Sequence, residues 1–268
     1  MQIDYLNEYL EYNDSDIELE FCLRINAEWN EESYNKLFNI LMSFFEICKK
    51  ENEIPKEFDY FFTNTINRII GILSNPIFTQ NNLIDLNNED YKNLILNKIN
   101  ELKKIRIIYE KRLFLKYYFF YGYNNPLSQW YNSTFVIDDL NFNSAEQWMM
   151  YSKAKLFNDY EKMNEIIKEP NQSRQRKLGR QVNGFKEDIW IKKREEIVRI
   201  GNLKKFTQNK ELNFLLKETK KMILAETSPV DLIWGIGFST NDLERFDNSK
   251  WRGLNLLGNI LMEIREII

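Results

Sequence analysis

The chain has 268 residues, 43 % of them hydrophobic and 15 % aromatic, with a formal net charge of −3 and no histidine. That is enough for one large or two ordinary domains with a real core, and too near neutral for general electrostatic binding to nucleic acid. The missing imidazole excludes Ser-His-Asp and Cys-His nucleophile systems and the HExxH zinc site, so proton chemistry falls to carboxylates, lysine or tyrosine.

Cys22 and Cys48 are the only cysteines and sit in apolar-patterned segments. They read as small buried hydrophobes and cannot by themselves supply a zinc site. No apolar run approaches the ~18 residues of a membrane span. The start, Met1-Gln-Ile-Asp-Tyr5, lacks the basic end and apolar core of a signal peptide, so the cytoplasm is the expected compartment. Neither G-x-G-x-x-G nor G-x-x-x-x-G-K-[ST] occurs. A glycine-loop nucleotide fold is therefore unsupported, and no cofactor or metal is implied.

In chain order, residues 15–28 alternate, with Ile17, Leu19, Phe21, Leu23 and Ile25 on one side. Period two predicts a half-buried strand there. Asn30 opens a helical pattern to about Lys50, and another runs from about Glu57 to Ser74. The Asn-rich stretch Gln80–Asn88 reads as a loop, and a long helix follows from Glu89 to about Arg112. Residues 1–112 hold no clustered acids at productive spacing. They read as a helical accessory domain that offers a surface to a protein partner or to the second half.

The character changes near residue 115. The aromatic run Leu115–Gly122 and the stretch Ser133–Asp138 predict strands. Ser144 then caps an amphipathic helix, with Gln147 three residues on completing a capping box. Glu146 lies in its first turn, where the dipole favours the ionised carboxylate. Lys153 returns to the same face about 10 Å further along, from seven steps of ~1.5 Å. Helices are expected at Tyr160–Lys168, Ser173–Leu178 ending at Gly179, Lys186–Ile200 ending at Gly201, and Lys210–Thr219. Met222–Ala225 is too short to place. Ser228–Gly237 is an apolar loop of the kind that lies over a pocket, and the last helix is expected from Trp251. Between Arg174 and Lys205 there are eleven Lys/Arg against four Asp/Glu, which could face phosphates or simply be solvated helix surface.

Taken in order, the landmarks of the second half are Phe120-Tyr-Gly122, Leu127-Ser128, Ser144-Ala-Glu146, Lys153, Leu178-Gly-Arg180, Trp190, Lys205-Phe206, Asp231-Leu-Ile-Trp234-Gly235 and Trp251-Arg-Gly-Leu-Asn255-Leu-Leu-Gly258. This series resembles the NADAR (YbiA-like) family over about residues 117–268. One departure is Ser128-Gln129-Trp130, where the family usually has Ser-Asn-Phe.

The resemblance implies a mainly α fold with a few short strands, a compact helical catalytic domain over 113–268 behind the accessory domain. It implies hydrolysis of an N-glycosidic bond, either of ADP-ribose on guanine in a nucleotide or nucleic acid, or of phosphoribosylated pyrimidines of riboflavin synthesis. A non-catalytic module that binds ADP-ribose or NAD is the alternative. On the family pattern Glu146 is the catalytic carboxylate. Lys153, Arg180, Trp190, Asp231, Trp234 and Asn255 line or support the sugar-phosphate pocket, and Phe120, Gly122, Ser128 and Gly235 complete it. Asp231 is the second choice for a catalytic acid, with protonation by solvent the other option.

Overall fold

The chain folds as two units, Met1–Leu115 and Lys116–Ile268. A computed structural model describes residues 5–27, 29–49, 54–80 and 88–268. It is mainly helical, and no described helix is long and apolar enough to cross a membrane. Most of the Asn-rich stretch after Gln80 lies outside the described residues.

The first unit is all helix: α1 (Tyr5–Asn13), α2 (Leu19–Asn26), α3 (Glu31–Ile47), α4 (Lys56–Tyr60), α5 (Ile66–Leu73), α6 (Ile77–Gln80) and α7 (Asn88–Glu110), with a π turn, Phe61–Thr65, joining α4 to α5. Its core is aromatic. Phe44 stacks on Phe58 at 4.1 Å and Phe62 on Tyr109 at 4.0 Å. The π turn places the adjacent Phe61 and Phe62 both inside.

The strand expected at 15–28 is α2 instead. The buried residues are Leu19, Glu20, Cys22 and Leu23, which is helical spacing, while Phe21 and Ile25 are 45 % and 66 % exposed. Three contacts override the alternation. Glu18 caps the helix by accepting from the amides of Glu20 and Phe21. The Tyr12 hydroxyl accepts the Leu19 amide at 2.8 Å. Arg68 forks onto both oxygens of Glu20 at 2.9 Å.

A short helix, α8 (Leu113–Lys116), spans the boundary between the units, and its last residue leads into strand β1 (Tyr117–Phe120) of the second unit. Then come β2 (Phe135–Ile137) and β3 (Leu140–Phe142), α9 (Ala145–Leu156), α10 (Tyr160–Lys168), α11 (Gln172–Gly179), α12 (Glu187–Gln208), α13 (Lys210–Glu218), β4 (Ile223–Glu226) and α14 (Leu256–Ile267). β2 and β3 form an antiparallel hairpin over Asp138 and Asp139, both at positive φ, as a two-residue primed turn requires. β4 runs parallel to β1, with Phe120 opposite Glu226.

Helix α9 is the hub, packed on by α10, α11 and α12. It is not amphipathic: every residue from Ala145 to Ser152 is buried. Gly201 does not end a helix as the sequence suggested. It lies inside α12, where a Cβ would stand 2.2 Å from the Trp148 ring, so the glycine lets α12 close onto α9. The last helix starts five residues after the expected Trp251, because Asn255 sits in the left-handed region at φ 51° just before it.

That Asn255 ties the start of α14 to β4. Its amide nitrogen donates to the Leu224 carbonyl at 2.8 Å, and its oxygen accepts the Glu226 amide at 3.2 Å. Gly258 leaves room for this clamp, since a Cβ there would meet the Leu224 carbonyl at 2.1 Å. Asn255→Ala is expected to lower stability by about 2 kcal/mol, from two orphaned buried backbone groups. Thermal melting checks it, and an unchanged midpoint would contradict the clamp.

Candidate active site

Ser144 stands in extended geometry before α9 and accepts the Gln147 amide at 3.1 Å. Gln147 reaches back to the Asn143 amide at 2.8 Å, one residue earlier than a capping box closes. The Glu146 amide donates to the Gln129 carbonyl at 3.0 Å, which ties the loop Ser128-Gln129-Trp130 to the start of α9. Glu146 is 2 % exposed, and its Oε1 is buried without a hydrogen-bond partner.

Glu146 lines a cavity of about 740 Å³ in the second unit. Of the residues expected from sequence, Asp231, Gly122, Ser128, Lys153, Arg180, Trp190 and Trp234 line the same cavity. The structure adds Arg176, Glu226 and Trp130. Phe120, Gly235 and Asn255 do not line it. Phe120 is a core residue whose carbonyl accepts the Thr227 amide. Gly235 serves backbone packing, not ligand approach, because a Cβ there would meet the Glu226 carbonyl at 2.9 Å. Asn255 acts one layer back, through β4.

Burial changes the electrostatics expected of the first turn. It pushes the Glu146 carboxyl up to about 7, with Asp231 adding to the rise. Arg176 opposes it most, followed by a side-chain hydrogen bond from Trp130 and by Arg180. Desolvation thus outweighs the helix dipole, and Glu146 is poised to titrate near neutrality. Glu226, at the end of β4, is pushed higher, to about 8, by burial and then by the charges of Asp231 and Glu146, against Arg176.

Asp231 is committed elsewhere. Its Oδ1 accepts the amides of Ile233 and Trp234 at 3.0 and 2.8 Å, and its Oδ2 lies 3.7 Å from Arg176. Held by two amides on one side and facing a guanidinium on the other, this carboxyl group is placed to fix the loop and orient an arginine. Lys153 donates to the Gly179 carbonyl at 2.8 Å and stands over the rings of Phe185 and Trp190. Burial, then the Arg180 charge, draws its pKa down.

The basic excess between residues 174 and 205 does not form one face. Arg176 and Arg180 reach the cavity, Lys193 and Arg199 pair with Glu196 and Glu263, and Arg194 and Lys205 are buried. Sequence spacing could have added Arg176, which lies one turn before Arg180 on the same face. Glu226 carried no such signal.

One cavity thus brings together two acids raised by burial, two arginines and three indoles, groups that can exchange protons, hold anions and stack on flat rings. Residues 118–268 match the NADAR domain family, and the chain belongs to it. It is 40 % identical over 163 residues to "N-glycosidase R617" of Acanthamoeba polyphaga mimivirus, a match covering 56 % of this chain and 95 % of that protein. It is 39 % identical over 129 residues to "Protein irg-1" of Caenorhabditis elegans, covering 47 % of this chain and 61 % of that protein. Among solved structures, the NMR structure of the E. coli protein YbiA matches with 24 % identity and a TM-score of 0.48, over 57 % of this chain and 84 % of that one.

Proposed function

We propose that the chain is an N-glycosidase that hydrolyses a ribosyl C–N bond, with ADP-ribose attached to guanine as its substrate and Glu146 as the catalytic carboxylate. The observation that carries this reading is the buried Glu146, with one unpartnered oxygen, lining a cavity with Arg176 and Arg180. The mimivirus relative named as an N-glycosidase supports the reaction class.

Cleavage of a ribosyl C–N bond builds positive charge at the anomeric carbon. A carboxylate in a desolvated site stabilises that charge strongly and can take the proton of an attacking water. Arg176 and Arg180, one helical turn apart, supply guanidinium forks for a diphosphate. Trp130, Trp190 and Trp234 offer faces for flat bases, each stacked base contributing about 1–3 kcal/mol. A cavity of about 740 Å³ falls in the range that encloses a ligand of this size.

The test is a panel of ADP-ribosylated guanosine, NAD and a phosphoribosyl-aminopyrimidine, with the released sugar followed by chromatography. Release of ADP-ribose from the guanosine conjugate is the expected result. Release from the aminopyrimidine alone would move the assignment to that substrate. Calorimetric binding without any product would make the domain a binding module.

A further inference from the structure

Glu226 is an acid that no motif or spacing in the chain singles out. It is the last residue of β4 and its backbone is held on both sides. Its amide donates to the Asn255 side chain at 3.2 Å, and its carbonyl accepts the amides of Ile236 and Ser228 at 2.9 and 3.0 Å. These bonds fix where the side chain begins, and the residue lines the same cavity as Glu146 and Asp231. The charged groups acting on it come from three directions: Glu146 on α9, Asp231 in the 228–237 loop, and Arg176 on α11.

The three acids are not equivalent. Asp231 accepts from two amides and faces Arg176. Arg176 is also the strongest influence favouring the ionised form of Glu146. Among the described residues no backbone amide or guanidinium is hydrogen-bonded to the Glu226 carboxyl, and burial and two neighbouring acids favour its neutral form. Both acids are raised by burial, but Arg176, Trp130 and Arg180 oppose the rise at Glu146 and Arg176 alone opposes it at Glu226. Glu146 therefore gives up its proton first as pH rises, and the two groups can divide base and acid roles between them.

We propose that Glu226 is the general acid that protonates the departing base, while Glu146 receives the proton of the attacking water. This deepens the N-glycosidase reading and rests on it. The step balances without another reactant. The C–N bond breaks with its electron pair on the base nitrogen system, and the Glu226 proton goes to that base. Water forms the new C–O bond at the anomeric carbon, and its proton goes to the Glu146 carboxylate. Transfer of one proton from Glu146 back to Glu226 through water then restores both groups.

The sign of the pH dependence follows. Glu146 must be ionised, so the rate falls as pH drops through about 7, and Glu226 must be protonated, so it falls as pH rises through about 8.

The experiment measures kcat, KM and their pH profiles for release of ADP-ribose from ADP-ribosylated guanosine, using the full chain as wild type, Glu226→Gln and Glu226→Asp. The wild type should give a bell with its maximum between those limits. Glu226→Gln should lose about 100- to 10⁴-fold in kcat, the usual worth of a general acid, with KM little changed and the alkaline limb gone. Glu226→Asp should restore part of the rate together with that limb.

A Glu226→Gln enzyme within about threefold of wild-type kcat, or one that keeps the alkaline limb, overturns the assignment. So does a wild-type rate that stays flat above pH 8, a result that needs no variant to fold. Wild-type protein that releases no base at all overturns the glycosidase reading itself, and the acid with it.

Discussion

Glu146→Gln should reduce turnover of the guanosine conjugate by about 10³-fold or more while making the protein more stable at pH 8. The two effects share one cause. Glutamine keeps the shape of the side chain and removes the charge that, on the proposed mechanism, stabilises the anomeric carbon and accepts the water's proton, a loss of about 4 kcal/mol in the transition state. The same charge is costly to bury. The folded-state pKa of Glu146 is about 7 against 4.5 for the free group, so the unfolded chain ionises first as pH rises. Stability is unaffected below pH 4.5, declines between 4.5 and 7, and stays reduced by about 3 kcal/mol above that. Glu146→Gln escapes the decline. Thermal melting of both proteins at pH 4.5 and pH 8 should show a gap that opens with pH in favour of the variant. Full release of ADP-ribose by Glu146→Gln would remove the catalytic assignment, and a gap independent of pH would remove the burial argument.

That conflict between activity and stability explains what the sequence could and could not reveal. Features decided within a few residues were legible. Ser144 as a cap, Asn30 as the cap of α3, and α10 at Tyr160–Lys168 all follow from local donors, acceptors and periodicity. The family landmarks also located most of the cavity wall. Burial was not legible. The first-turn position of Glu146 argued for an ionised group, and only the packing of α10, α11 and α12 around α9 reverses it. Glu226 was hidden for a topological reason. Met222–Ala225 was too short to place by periodicity, and β4 exists because β1, far upstream, pairs with it in parallel. The alternation at 17–25 misled for the opposite reason, since a helix cap and the Arg68 fork decide α2 whatever the period.

Lys205→Met should stabilise the second unit at pH 7 by about 3 kcal/mol and weaken the site. Lys205 is fully buried on α12, and burial draws its pKa down from 10.5 to about 7. For a base lowered in this way, the unfolded chain takes up its proton first as pH falls below 10.5. The folded state therefore loses stability between pH 10.5 and 7, by about 5 kcal/mol in all, and the loss stays in full below that. Methionine fills a similar volume with no charge to desolvate. It also deletes a donor: Lys205 gives a 2.7 Å hydrogen bond to the Ser128 carbonyl, and leaving that acceptor unpaired returns about 1–3 kcal/mol of the gain. The functional effect runs through the loop. Lys205 and Asn202, which donates to the Gln129 side chain at 2.9 Å, hold Ser128-Gln129-Trp130 against α12, and the Gln129 carbonyl in turn takes the Glu146 amide. Freeing one of the two anchors should lower kcat/KM about tenfold through misplacement of Trp130 and Glu146. Melting curves at pH 7 and pH 10 check the energetics, because the advantage of the variant must shrink as the wild-type lysine loses its reason to be strained. A variant that melts below wild type at pH 7 would mean that Lys205 is held by more than the Ser128 carbonyl, and that its burial supports the fold instead of opposing it.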